Sequence, residues 1–320
     1  MIEVSVIVPA HNAADTLAAA ISSVQGQGLR AIEILIVDDA SRDRTYEIAL
    51  SIARADPRVR VIRRATNGGP SGARNSGLEA AKGTWVALLD ADDLYLPQRL
   101  SVLTDAARSA GCDLVADNLI LQCPESDRCL GLAMAPGSMN SGRLLTAAEF
   151  ARNDRPFPGG FGQFGYLKPL VRRAFLDQHQ LRYDSDIWVA EDFVFYMRCL
   201  LAGARMILLP DAYYQYLLST DSITRSGIDQ SRNFEHFALG NARILDQAQR
   251  QGDRATIREM KRRGRSIAFL RACHGYKSAV KRHRRAEAIA HLVRMPLAPV
   301  DLACHVKLSI AARVARAAPQ

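Results

Sequence analysis

The chain reads as an α/β protein, with a mostly parallel central sheet flanked by helices. Three observations predict this. Short apolar runs rich in Val and Ile recur at residues 4–9, 32–37 and 85–89, without the polar alternation of half-exposed strands. Helical patterns separate the runs, as in strand–helix–strand units. Each run ends in polar or acidic residues, placing chemistry at the carboxyl ends of the strands, where open α/β sheets bind ligands.

Taken in order, Pro9 stops the first strand, and Asp15 or Thr16 caps a helix to about Gln25. Leu17, Ala20, Ile21 and Val24 share one face of that helix. The second strand ends in Asp38-Asp39, and Ser41 or Asp43 caps the next helix, to about Ala55. Residues 59–62 make a shorter third strand. Asn67-Gly68-Gly69-Pro70-Ser71-Gly72 then opens a helix through Ala81. Gly83 leads into the strand at 85–89, which exits through Asp90-Ala91-Asp92-Asp93. Leu94-Tyr95-Leu96-Pro97 predicts a helix start running to about Ala110, and residues 113–117 another strand. Residues 119–154 read as a strand-and-loop insertion. The glycine- and aromatic-rich stretch 157–166 suits a lid, a sugar-stacking platform or a packed loop equally. Glu191-Asp192 opens a helix whose Phe193, Tyr196, Met197, Leu200 and Leu201 give it a buried face. A strand at 205–210 follows, then helical spacing over 230–250 and 254–292, a break at 295–299 and an amphipathic helix at 302–314. The expected division is a domain over 1–226, in halves 1–118 and 119–226, and a helical, basic extension over 227–320.

Charge separates these parts. The chain of 320 residues carries a net +9, yet from Arg250 onward 17 Lys/Arg face four acids, and the residues before it total −4. Six scattered cysteines with no CxxC pair argue against a zinc site or a disulfide framework and predict a reducing compartment. No basic-then-apolar leader precedes the first strand, and no apolar run reaches the ~18 residues of a membrane span. The expected location is cytoplasmic.

The acidic exit carries the first chemical argument. Three carboxylates in four positions repel one another unless a cation sits among them, and a hard divalent ion with oxygen ligands also carries phosphates. A dehydrogenase is excluded at the first turn, where Pro9-Ala10-His11-Asn12 stands in place of G-x-G-x-x-G. A Walker-type phosphate loop is absent as well. A nucleotide must then be held by carboxylates and a metal.

Four motifs in register carry a family resemblance: Val6-Ile7-Val8-Pro9-Ala10-His11-Asn12, Val37-Asp38-Asp39-Ala40-Ser41-Arg42-Asp43, Asn67-Gly68-Gly69 with Ala73-Arg74-Asn75, and Leu89-Asp90-Ala91-Asp92-Asp93. In order and spacing the chain resembles the family 2 glycosyltransferases, inverting enzymes of the GT-A fold that use nucleotide-diphosphate sugars. The match is strong over residues 1–120 and looser to about 226. The resemblance implies a nucleotide-sugar site formed by Pro9, Ala10, His11, Asn12, Asp38, Asp39, Asn67, Gly68, Arg74, Asp90 and Ala91. Within it, Asp38 and Asp39 would accept from a uracil-type imide and His11 would stack on the base, where the family more often has Tyr or Phe. Arg74, on the helix after the glycine turn, would face the diphosphate. Asp90 would contact the ribose and Asp92 would ligate Mg2+ or Mn2+, with Asp93 in support.

The resemblance also implies Asp192 as the base that takes the acceptor proton, with Glu191 beside it. Residues 213–216 and 222–225 resemble the segment that closes the family's catalytic domain. Many members carry a His about three residues before Ser222, and some use it on the metal; this chain has Ser219 there. The implied partners are a UDP-sugar and a saccharide or polyprenyl-diphosphate-linked saccharide acceptor, with peripheral contact between the basic tail and anionic lipid. The competing function is a non-catalytic, sugar-nucleotide-binding or scaffolding subunit. Nucleotidyl transfer lacks its Gly-rich signature after strand one, and no nucleic-acid module is present.

Overall fold

The computed structural model describes residues 1–123, 128–139, 142–156, 163–218, 230–284 and 290–291. The chain forms two compact units, Met1–Thr146 with Gly165–Ser226, and Ala147–Phe164 with Gly227–Gln320.

The first unit begins as predicted: β1 (Val4–Ala10), α1 (Leu17–Gln25), β2 (Ile32–Asp38), α2 (Thr45–Ala55), β3 (Val59–Arg63), α3 (Gly69–Ala80) and β4 (Trp85–Leu88). It continues with β5 (Leu94–Tyr95), α4 (Arg99–Ala110), β6 (Leu114–Cys123) and β7 (Arg128–Leu132). Past α5 (Ala147–Asn153), which belongs to the second unit, come β8 (Leu170–Arg172), α6 (Arg173–Gln178), α7 (Glu191–Leu201) and β9 (Met206–Leu217). Among the described residues the strands form one sheet in the order β3-β2-β1-β4-β8-β6-β9-β5, with β7 paired to β6. β3, β2, β1 and β4 run parallel, whereas β8 is antiparallel to both neighbours. The mixed, mostly parallel sheet with flanking helices is the architecture expected from the sequence.

Every residue of β2 is buried, as a strand covered on both faces requires. Helix α3 lies close on β1 because Gly77 has no side chain; a Cβ there would come within 2.3 Å of Ile7 Cγ2. That approach fixes the height of Arg74, one turn earlier on α3, over the strand ends.

Three local expectations are corrected. Leu94 and Tyr95 form a strand instead, because they pair with Gln215 and Tyr214. Pro97 and the left-handed Gln98 (φ 68°) delay the helix to Arg99. The strand expected at 205–210 continues to Leu217, carrying Pro210 in a bulge where Leu208 and Ala212 face Ala116 and Asn118. Within the insertion at 119–154, residues 147–153 are helical.

The second unit contains α5, α8 (Gln230–Gln251) and α9 (Arg254–Lys281). α5 packs against α9, and the buried Arg263 guanidinium donates to Asp154 Oδ1 at 2.9 Å and to its carbonyl at 3.0 Å. Residues 147–164, read from sequence as part of the first domain, therefore group with the C-terminal helices. α9 ends at Lys281 and not near 292. Ser219, residues 222–225, residues 157–162 and the helix expected at 302–314 lie outside the described residues. Among the described residues, no helix is long and apolar enough to cross a membrane.

Candidate active site

The site starts at the carboxyl ends of β1 and β2, which are held together before any ligand arrives. The Asp39 amide donates to the Ala10 carbonyl at 2.8 Å. His11 Nδ1 lies 2.9 Å from the Asp39 carbonyl, and its Nε2 lies 3.1 Å from Asn67 Nδ2 and 3.2 Å from Asn12 Nδ2. Those partners assign the proton to Nδ1, since a carbonyl can only accept and an amide NH2 can only donate. The imidazole is exposed and fixed in orientation. Asn12, at φ 50°, accepts the Arg42 amide proton and donates its own to Ser41 Oγ, closing the turn.

Asp38 and Asp39 are both buried, so they do not present open carboxylates to a base. Asp38 Oδ1 accepts from the Ser41 amide at 3.3 Å, while Oδ2 faces Arg63 Nε at 3.5 Å without a hydrogen bond. Asp39 accepts from the Gly68 amide at 3.0 Å and pairs with Arg64 at 2.7 Å. Asp39 and one oxygen of Asp38 therefore shape the loops, while Asp38 Oδ2 keeps no hydrogen bond. The His11 ring, Asn12 and Asn67 are exposed here, beside a cavity of about 330 Å3 lined by Ala40, Ser41, Arg63, Arg64 and Ala65.

The second half of the site is a cage of charges. Arg74 is 3% exposed. Its Nη2 donates to Asp90 Oδ1 at 2.9 Å, and its Nη1 donates to Glu191 Oε1 and lies 3.5 Å from Asp192 Oδ1. The guanidinium thus points into the carboxylates of β4 and α7. Lys168, also buried, places Nζ 2.6 Å from Asp192 Oδ2 and 3.0 Å from Asp90 Oδ2. Asp192 Oδ1 further accepts from the Tyr183 hydroxyl at 2.9 Å. Asn75 grips the Tyr183 backbone through both ends of its amide, each at 2.9 Å, and the Tyr183 ring stacks on Phe195. The Arg74-Asn75 pair thereby serves the helix carrying Asp192.

Electrostatics follow from this packing. Burial alone raises the Asp90 carboxyl, but Lys168 and Arg74 overcome it and hold Asp90 well below the ordinary range. Burial likewise disfavours charged Lys168, and Asp192 and Asp90 reverse this, keeping the ammonium protonated. Glu191 is pushed up by burial against the pull of Arg74. Asp92 differs from all of these. It is half-buried, takes no hydrogen bond or ion pair from another side chain among the described residues, and is pushed up by burial and by the charge of Asp90. Asp93 is turned inward, its Oδ1 accepting from the Leu217 amide at 2.9 Å. Ala91, buried between Asp90 and Asp92, contributes only a small side chain and lets the turn pack tightly. Among the described residues no three His, Cys, Asp or Glu side chains are grouped to hold a metal. The Asp92 carboxylate is hydrogen-bonded by no other described side chain, which would suit a cation that draws its other ligands from a diphosphate and water.

The family model for glycosyl transferase family 2 matches residues 5–175, more than half of the chain. The chain belongs to glycosyl transferase family 2. Among curated family relatives, the succinoglycan biosynthesis protein ExoO of Rhizobium meliloti is 37% identical over 223 residues, covering 70% of this chain and 63% of that protein. Two solved structures share the fold. Staphylococcus aureus TarS 1-349 in complex with UDP-GlcNAc aligns with a TM-score of 0.62 at 20% identity, covering 91% of this chain and 89% of that one. The mannosyltransferase PcManGT from Pyrobaculum calidifontis, in complex with GDP-Man and Mn2+, aligns at 0.58 and 16%, covering 98% and 80%.

Sequence reasoning missed Lys168, Tyr183, Tyr214 and Arg99. Lys168 is a lone cation in Leu167-Lys168-Pro169-Leu170, and a charged residue inside an apolar stretch was the available signal. Trp188 also escaped assignment. Its indole lies over Gly69, which sits at φ 68° with no room for a Cβ: the ring carbon Cδ2 would be 2.8 Å away.

Proposed function

We propose that the chain is an inverting glycosyltransferase of polysaccharide biosynthesis, moving a sugar from a UDP-sugar to a saccharide or lipid-linked saccharide acceptor. The observation that carries this reading is the meeting of Asp90, Glu191 and Asp192 around Arg74 and Lys168 in a family 2 chain, with Asp92 unengaged beside them. The base would lie against the fixed His11 ring, on the loops that Asp38, Asp39 and Gly68 shape. Asp90 would meet the ribose. A divalent cation held at Asp92, Mg2+ or Mn2+, would supply neutralisation of the leaving diphosphate.

Inversion is a single in-line displacement. The acceptor hydroxyl oxygen bonds to the anomeric carbon, the bond from that carbon to the diphosphate oxygen breaks, and the hydroxyl proton passes to Asp192. For Asp192 to take it, the acceptor hydroxyl must replace one of the donors now at Oδ1, the Tyr183 hydroxyl or the more distant Tyr196 hydroxyl and Arg74. Glu191, tied to Arg74 on one oxygen, is placed to orient the acceptor with the other. The exposed Arg254, Arg258, Lys261 and Arg265 recur along one face of α9 and support peripheral contact with anionic lipid on the cytoplasmic side.

The test is calorimetric titration of UDP, GDP and dTDP, each with and without Mn2+, followed by transfer assays with sugars of whichever nucleotide binds. Metal-dependent binding of UDP supports the reading. Preference for GDP or dTDP overturns the assigned base. Binding without transfer to any saccharide or lipid-linked acceptor favours a non-catalytic subunit.

A further inference from the structure

Lys168 has no part in any sequence motif, yet its ammonium is the only described lysine that touches two carboxylates of the site. It is 4% exposed, and its side-chain partners are Asp90, at the exit of β4, and Asp192, in the first turn of α7. Burying an ammonium is costly, so a lysine that serves packing alone is normally replaced by an apolar residue or reaches solvent. Here the cost is met by two ion pairs, at 2.6 and 3.0 Å.

The backbone of Lys168 is fixed with equal care. The Arg99 guanidinium, fully buried, donates from Nη2 to the Lys168 carbonyl at 2.6 Å and pairs with Asp117 at 2.7 Å. The same guanidinium lies over the rings of Tyr95 and Tyr214. The Tyr214 hydroxyl in turn bonds to Asp93 and accepts from the Asp90 amide. One buried network therefore places both the acidic turn and the lysine facing it.

We infer that Lys168 is a positioning residue for transfer: it ties the donor-side carboxylate Asp90 to the acceptor-side carboxylate Asp192 and aims the Oδ1 edge of Asp192 away from the bridge. The inference rests on the proposed function, in which Asp192 takes the acceptor proton. Without Lys168, Asp90, Glu191 and Asp192 would share one cation, Arg74. Mutual repulsion would then turn Asp192 out of place.

The experiment compares the full-length protein with Lys168→Met, which keeps the side-chain volume without charge, and Lys168→Arg. Donor affinity is read by calorimetry, kcat and KM by transfer assay, and folding by thermal melting. Lys168→Met should lower kcat by about 10²-fold, the usual penalty for a misplaced catalytic group, with donor Kd within about threefold. Lys168→Arg should recover at least about a tenth of the kcat, since the charge is kept at altered geometry. Should the Met variant not fold, Lys168→Gln, which can donate to both carboxylates, carries the same expectation. Transfer by the unaltered protein with an unchanged kcat in the uncharged variant overturns the inference alone. So does a loss found entirely in donor Kd, or an Arg variant as slow as the Met one. Absence of transfer by all variants, the unaltered protein included, overturns the proposed function and this inference with it.

Discussion

The Tyr214 hydroxyl donates to Asp93 Oδ2 at 2.7 Å and accepts the Asp90 amide proton at 3.2 Å, so one phenol bolts β9 to both ends of the acidic turn. Asp90 and Asp93 are thereby held by a residue more than a hundred positions away. Tyr214→Phe removes both bonds while keeping the ring over Arg99. It should cost about 1–3 kcal/mol, the usual penalty for leaving a buried polar group unpaired. Urea unfolding measures that cost, and an unchanged midpoint with unchanged slope would mean that the turn holds itself.

Asp92→Asn addresses the carboxylate that no side chain engages. The fold should persist, because nothing described leans on Asp92. The gain in UDP affinity on adding Mn2+ should fall at least about tenfold, or 1.4 kcal/mol. Calorimetry with and without the ion decides it. Equal metal dependence in both proteins would take Asp92 off the metal.

Asp192→Asn keeps the shape of the side chain and one acceptor oxygen. Donor affinity should change little, whereas kcat should drop about 10²–10⁴-fold, the range a positioned base supplies. Steady-state transfer with saturating donor reads this directly. A drop confined to KM would make Asp192 a binding residue.

Arg99 and Asp117 are an ion pair with no exposure on either side chain. Arg99→Met should destabilise the chain by about 3–5 kcal/mol, because Asp117 is left buried and uncompensated. The double replacement Arg99→Met with Asp117→Leu should be milder than the single one. If the double variant melts lower than Arg99→Met, the penalty does not arise from the stranded charge.

The alternation of strand and helix over the first 110 residues was legible because burial on both sheet faces leaves unbroken apolar runs in the sequence. The acidic exit of β4 was legible for the opposite reason, as charges packed too densely for an ordinary surface, whereas the Glu191-Asp192 pair stood out only through the family resemblance. Lys168 and Arg99 were not, since a single buried cation is recognisable only through partners that the fold brings from elsewhere. Asp38 and Asp39 show the limit from the other side. Their place at a strand end was readable, but whether a carboxylate faces a ligand or its own loop depends on Ser41, Arg63, Arg64 and Gly68. Residues 94–97 misled because Leu and Tyr fit either element, and the pairing with β9 is a tertiary choice.

The grouping of α5 with the C-terminal helices has a practical consequence for anyone who cuts this chain. The backbone passes between the two units at three points, after Thr146, after Phe164 and after Ser226. An expression fragment ending at 226 would keep α5 but strip away α9, baring Ala147, Ala148, Phe150 and Ala151 and stranding Asp154 without Arg263. Such a fragment invites aggregation even if its sheet is sound. A soluble catalytic unit calls for a second cut, with a short linker joining residues 146 and 165.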